Sequence, residues 1–236
     1  MNFSIVMAYR GDKGIRARHL DWTVSNYRKL FPGAEIVISR DTGVGWDTFC
    51  KSRMINEGVA KARNNNLLIT DIDVVFQKDI ILEALEEVEK HSMIIPMNEL
   101  WWLSRQGTER VLNSKRELKV SNDMVLKKEK RVLYRPNGWH VMTKDSFYEA
   151  GGYDERFVGW GGEDSCFIRA CVTMSSKPFL RKEAVAYHLW HPVDNRRHKK
   201  RDRRSGVLIQ KYIEAFGKKD RMTAILNKRG EARCGQ

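Results

Sequence analysis

Two short stretches place acids at spacings that suit chemistry. In LLITDIDVVF (67–76) an apolar run ends in Asp71 and Asp73, one residue apart. A strand that ends this way puts both carboxylates near a solvent-facing rim, where oxygen ligands or their bound waters can hold a hard divalent cation. Acids that merely cap the exposed end of a strand have the same spelling, so the motif alone does not decide. In GGYDERFVGWGGEDSCFIRA (151–170), Glu163 and Asp164 follow Gly161-Gly162, with Trp160 just before them. Acids in the first turn of a helix suit its dipole. That reading accounts for Glu163 and Asp164 but leaves Trp160, set between glycines, unexplained.

The elements that must position these residues follow from periodicity. FSIVMAY is a short apolar run that reads as a strand, broken by RGDKG. Leu20, Val24, Tyr27 and Phe31 recur at spacings of three and four and predict a helix over 16–31, stopped by FPG. EIVIS is a second strand ending at Arg40-Asp41. Met54, Ile55, Val59 and Ala62 predict a helix over 52–64, and LLIT a third strand. Asp79 reads as the N-cap of IILEALEEVEK, and SMIIPM as a fourth strand. This alternation over residues 1–100 predicts an α/β architecture, a mostly parallel central sheet with helices on both faces. In such sheets ligands bind beyond the carboxyl ends of the strands. Tyr9-Arg10, Asp41 and Asp71/Asp73 therefore converge on one rim. Residues 104–131 are charged and turn-rich and are expected to form a mobile loop, after which RPNGWHVMTKDSFYEAGGYDE returns to a strand and a short helix.

At this point the residues resemble a known family. SRMINEGVAKARNNNLLITDID resembles the segment of GT-A (Rossmann-like) glycosyltransferases, especially glycosyltransferase family 2, in which Arg and Asn on a helix precede a strand ending in the metal-binding Asp-x-Asp. NGWHVMTKDSFYEAGGYDERFVGWGGEDSCFIRA is similar to the carboxyl-terminal module shared by β-1,4-galactosyltransferases and polypeptide N-acetylgalactosaminyltransferases. The resemblance spans roughly residues 3–192. It implies an inverting, metal-dependent transfer of a sugar from a UDP-sugar to an acceptor hydroxyl. In that pattern Asp164 is the base that takes the acceptor proton and Glu163 contacts the acceptor, while Trp160 offers a flat face to a sugar or base ring. Asp73 ligates Mn²⁺ or Mg²⁺, which offsets the charge of the leaving diphosphate, and Asp71 lies nearer the ribose. In AYHLWHP the resemblance places a metal-binding histidine: His188 fits best and His191 is second choice, with a histidine simply packed against Trp190 as the alternative. Arg10, Asp41 and Arg53 line the nucleotide pocket, with surface ion pairs as the alternative for Arg10 and Arg53. Asp41 stands in SRDTG without the doubled acids often found there, and no lectin domain, stem or anchor is spelled out, so a minimal catalytic core is expected.

Composition narrows the setting. The chain has 236 residues, 42% of them hydrophobic and 31% charged, which is enough for one well-buried domain. That domain is expected over 1–193, with a nucleotide-sugar-binding half (1–100) and an acceptor and catalytic half (132–193). No apolar run approaches the roughly 18 residues of a membrane span. The four cysteines (Cys50, Cys166, Cys171, Cys234) form no Cys-x-x-Cys pair, and free thiols in a cytoplasm are expected. Of the formal net charge of +13, most sits in a C-terminal extension, 194–236, which holds 14 Lys/Arg against 5 Asp/Glu and includes RRHKKRDRR (196–204). Such a segment suits a polyanionic partner. The acceptor is then a hydroxymethylated pyrimidine in phage-type DNA, slightly favoured by charge, or a bacterial surface polysaccharide or lipid-linked glycan beside anionic headgroups. A non-catalytic nucleic-acid-binding protein on a transferase scaffold is the reading from another class.

Overall fold

The computed structural model describes residues 2–11, 14–41, 49–114, 118–130, 138–159, 161–192 and 203–231. Trp160, residues 196–202 of the basic run and Cys234 lie outside the described residues.

The first half alternates as its periodicity predicts. β1 (Ser4–Arg10) leads to α1 (Ile15–Leu30), β2 (Glu35–Asp41), α2 (Lys51–Lys61) and β3 (Asn66–Asp71). β1 pairs in parallel with β2 on one side and β3 on the other. Its residues are buried along nearly the whole strand, as a parallel strand covered on both faces should be. α1 buries Leu20, Val24 and Tyr27 and ends at Phe31, before Pro32-Gly33. α2 lies directly on the sheet: a Cβ at Gly58 would come within 2.6 Å of the Val6 Cγ1 atom. Glycine costs about 1 kcal/mol in a helix interior, and here it permits that close approach.

After β4 (Val74–Phe76), α3 (Lys78–Glu87) begins with Gln77 at its N-cap, so Asp79 sits in the first turn instead of capping it. β5 (Met93–Ile95), β6 (Glu99–Leu103), α4 (Arg105–Asn113) and β7 (Val125–Lys130) follow. The stretch expected to be a mobile loop, 104–131, is thus largely helix and strand. Ser104 caps α4 by accepting from the Gly107 amide at 2.9 Å, and Thr108 and Val111 are buried beneath it. β7 is an edge strand, with Leu126 69% exposed and Lys127, Lys128 and Lys130 after it. Charge on an edge strand guards it against pairing with other chains, which is why it reads as loop.

β8 (His140–Thr143), α5 (Lys144–Glu149), α6 (Glu163–Met174), β9 (Phe179–Arg181) and β10 (Val185–His188) complete two sheets. The central sheet runs β2-β1-β3-β8-β5-β9, and only β8 opposes the common direction. The second sheet runs β4-β10-β6-β7. Helices flank the central sheet, giving the mixed α/β architecture that the sequence suggests. The C-terminal segment is more than a basic appendage: α7 (Arg203–Ala215) and α8 (Lys219–Glu231) pack on α6, and Leu208, Tyr212, Ala215 and Met222 join the main hydrophobic core.

Candidate active site

The carboxyl ends of β1, β2 and β3 form one rim. Arg10 and Asp41 are register partners on neighbouring strands and pair at 2.6 Å, with the Arg10 guanidinium 5.0 Å from the centre of the Phe49 ring. Asp71 closes β3 beside them. Beyond it the Asp-x-Asp motif divides between two clusters.

Asp73 belongs to the first. Its Oδ1 lies 4.0 Å from His188 Nε2 and its Oδ2 lies 3.4 Å from His191 Nε2, and all three ligand atoms fit within 4.8 Å of one another. Backbone register brings them together: β10 pairs antiparallel with β4, setting His188 opposite Val74, and the Leu189 amide donates to the Asp73 carbonyl at 2.8 Å. His188 Nδ1 faces the Leu189 carbonyl at 2.8 Å, and His191 Nδ1 faces the Pro192 carbonyl at 3.0 Å. Each ring therefore turns Nε2 toward Asp73, the orientation a metal-binding imidazole needs. Trp102 stacks on His188 at 4.0 Å and donates its indole N–H to Glu129. Burial alone would raise the Asp73 carboxyl, but His188, Arg16, His191 and His19 outweigh it and hold the group below the usual carboxylate range. Arg16 contributes directly, with Nη1 3.2 Å from Oδ2. His19, fully buried nearby on α1, is pushed down to about 4 by burial.

Asp71 belongs to the second. It accepts from the Trp139 indole at 2.7 Å, and its Oδ1 is 3.0 Å from Lys51 Nζ, which is also 3.6 Å from Asp164 Oδ1. Asp164 and Glu163 occupy the first turn of α6, whose N-cap Gly162 has φ +111°, a left-handed conformation that glycine adopts without strain. Burial raises both carboxyls; Lys51 pulls each back, and Glu163 is raised further by Asp164 beside it. Burial would lower the Lys51 ammonium, but Asp164, Asp71 and Glu163 hold it well above its usual value. The loop before α6 is stapled to α2. Asn56 donates to the Tyr153 carbonyl at 2.9 Å and to Glu155 at 2.8 Å, and its own Oδ1 accepts from the Tyr153 amide at 2.9 Å.

Of the residues singled out in the sequence, the fold gathers Asp71, Asp73, Glu163, Asp164, His188 and His191 into these two clusters, with Arg10 and Asp41 on the rim beside them. Both histidines turn Nε2 toward Asp73, His188 at 4.0 Å and His191 at 3.4 Å. Arg53 is exposed on α2 and joins neither cluster. Two residues earlier, Lys51 supplies the buried cation that sequence reasoning missed. Its signal was available: Lys51 lies three and four residues before Met54 and Ile55, on the apolar face of the helix. Arg16 and His19 share a similar signal on the face that carries Leu20.

Residues 131–175 match a family model described as the N-terminal domain of galactosyltransferase. Chondroitin sulfate synthase 3 of Homo sapiens is 22% identical over 194 residues, covering 80% of this chain but only 21% of that protein. The Mus musculus protein is 23% identical over the same share. The chain therefore spans about a fifth of the length of these relatives. Among solved structures, the catalytic domain of Drosophila β1,4-galactosyltransferase 7 with xylobiose superposes with a TM-score of 0.55 at 14% identity, over 89% of this chain and 80% of that one. Staphylococcus aureus TarS in complex with UDP-GlcNAc gives 0.54 at 13% identity, over 97% and 71%. A manganese, UDP-Gal and xylobiose complex of a variant of the Drosophila enzyme gives 0.51 at 14% identity, over 86% and 75%. The architecture of this chain is the GT-A fold of the glycosyltransferases.

Proposed function

We propose that the protein is an inverting glycosyltransferase that moves a sugar from a UDP-sugar to a hydroxyl of a glycan acceptor. The observation that carries the reading is the division of the Asp-x-Asp motif. Asp73 belongs to a three-ligand cation site with His188 and His191, while Asp71 is tied through Lys51 to Asp164. One strand end thus joins a place for the leaving diphosphate to a partly buried carboxylate pair.

The donor set fits a divalent metal. Two imidazoles with one carboxylate suit Mn²⁺ better than Mg²⁺, which prefers oxygen ligands. Bound there, the ion would offset charge on the departing diphosphate. Arg16, on the same side of Asp73, adds a cation for those phosphates. Arg10, Asp41 and Phe49 wall the nucleotide pocket, and Arg53 and Trp160 remain assigned to donor and acceptor contacts by motif position. As the acceptor oxygen attacks the anomeric carbon, the bond to the β-phosphate oxygen breaks, UDP departs with the electron pair, and the hydroxyl proton passes to Asp164. Glu163, raised more readily into its protonated form, holds the acceptor by donating a hydrogen bond.

Support for a glycan acceptor comes from the Drosophila complexes with xylobiose and from the chondroitin synthase relatives. The basic segment after Asp194 favours a second reading, transfer to hydroxymethylpyrimidine DNA. A purely nucleic-acid-binding role does not account for an ordered cluster of four acids with their cations. A cytoplasmic setting accompanies the proposal, in keeping with buried free thiols at Cys50, Cys166 and Cys171; no helix among the described residues is long and apolar enough to cross a membrane. The test is Mn²⁺-dependent transfer from a panel of labelled UDP-sugars to oligosaccharide acceptors and to hydroxymethylpyrimidine duplex DNA in parallel. Label on oligosaccharide is expected; label on DNA alone moves the acceptor, and none on either rejects the activity.

A further inference from the structure

We infer that Lys51 is a positioning residue for the catalytic pair: its ammonium, held between Asp71 and Asp164, fixes the Asp164 carboxylate in place and in its charged form. The inference rests on the transferase reading above and deepens it.

The geometry is that of a built contact. Lys51 Nζ sits 3.0 Å from Asp71 and 3.6 Å from Asp164, on a side chain only 14% exposed. A buried ammonium is costly unless it is paired. The chain also makes room for it. A Cβ at Gly138 would stand 2.4 Å from Lys51 Nζ and 2.8 and 3.1 Å from the two Asp164 oxygens, so backbone without a side chain closes over the pair.

The surroundings of Asp164 leave few other sources of positive charge. Asp71 faces it from the end of β3, Glu163 from its own helix, Tyr153 from the loop before α6, and Lys51 from α2. His140 on β8 lies toward Lys51 and is held neutral by burial. Among these groups Lys51 is the one cation, shared by three carboxylates. Without it burial and like charge both drive Asp164 toward its protonated form, in which it cannot accept a proton. Lys51 also commits Asp71 to the base side of the motif, leaving Asp73 to the cation site.

The test compares the full chain with Lys51→Met and Lys51→Arg, using circular dichroism to check folding. Asp164 is titrated by carboxyl ¹³C NMR with Mg²⁺ present, and its resonance is identified by its loss in Asp164→Asn. In Lys51→Met, Asp164 should titrate about one to two units higher. The acidic limb of kcat/KM should move with it, while the donor KM stays within about twofold. Lys51→Arg should restore most of the shift. An unchanged Asp164 titration in folded Lys51→Met overturns the role. If that variant does not fold, a Lys51→Arg chain whose Asp164 titrates more than about one unit from wild type overturns it instead. The titration needs no turnover. Unchanged titration alongside normal transfer removes the Lys51 role alone, whereas absent transfer with every donor removes the transferase reading.

Discussion

The two adjacent acids of α6 have unequal surroundings, and that is enough to give them unequal work. Asp164 has Lys51 within reach, while Glu163 carries the added repulsion of its neighbour. Asp164→Asn should keep the fold, the metal and the donor, yet lose transfer by roughly a thousandfold or more; single-turnover kinetics beside donor-binding calorimetry separate the two effects, and near-normal turnover would remove Asp164 as base. A second residue-scale expectation concerns acid stability. Burial pushes His140 down to about 3, beside the stacked rings of Tyr153 and Phe167, with no hydrogen-bond partner for either nitrogen. Its pKa is depressed on folding, so its unfolded form binds protons first. Stability should be complete above the ordinary value near 6.5 and fall as pH drops toward 3, by up to about 1.4 kcal/mol per pH unit for this one group. His140→Phe should flatten that part of a denaturation series, and an equally steep decline would place the acid sensitivity elsewhere. The acids were legible in sequence because spacing and neighbouring glycines marked them. Their cations were not, because an arginine or lysine on a helix looks the same whether it meets solvent or a partner far along the chain, as Asp164 is for Lys51.

The parallel β-α half was readable because every strand there is an uninterrupted apolar run and every helix has one apolar face. The stretch over 104–131 was misread because an amphipathic helix and a charged edge strand both present their polar side. The C-terminal helices were hidden by the same effect: the lysines and arginines of α7 and α8 mask the buried set of Leu208, Tyr212, Ala215 and Met222. Those helices hold the loop before α6. Arg229 donates to the carbonyls of Gly151 and Gly152 at 2.8 Å each and lies 3.5 Å from Asp154, which also pairs with Arg156 at 2.7 Å and accepts from the Tyr212 hydroxyl at 2.9 Å. Asp154 is almost wholly buried. Arg229→Met would strip one of two guanidinium partners from a buried carboxylate that Arg156 still pairs, and should cost about 1–2 kcal/mol in chemical denaturation, with loop proteolysis near 151–159 increasing in step. A change below about 0.5 kcal/mol would mean the contact is incidental.

For the whole molecule, the proposed cation site joins two parts of the fold: Asp73 follows the central sheet, whereas His188 and His191 come from the end of β10 and just beyond it, in the second sheet. A bound ion should therefore stabilise the chain as a unit. At a hundred times its dissociation constant, Mn²⁺ should add about 2.7 kcal/mol, visible as a rise of several degrees in Tm that chelation reverses. His188→Ala and His191→Ala should each weaken Mn²⁺ binding by tenfold or more, and the loss of only one effect would reduce the ligand set to two.

The Arg229 contact also has a consequence for biosynthesis. The glycines it clasps, at 151 and 152, leave the ribosome well before the arginine that holds them, since a chain emerges from its amino end. The nascent chain can lay down its strands and bring Asp73, His188 and His191 together first, but the loop that leads into α6 is latched only after α8 has emerged.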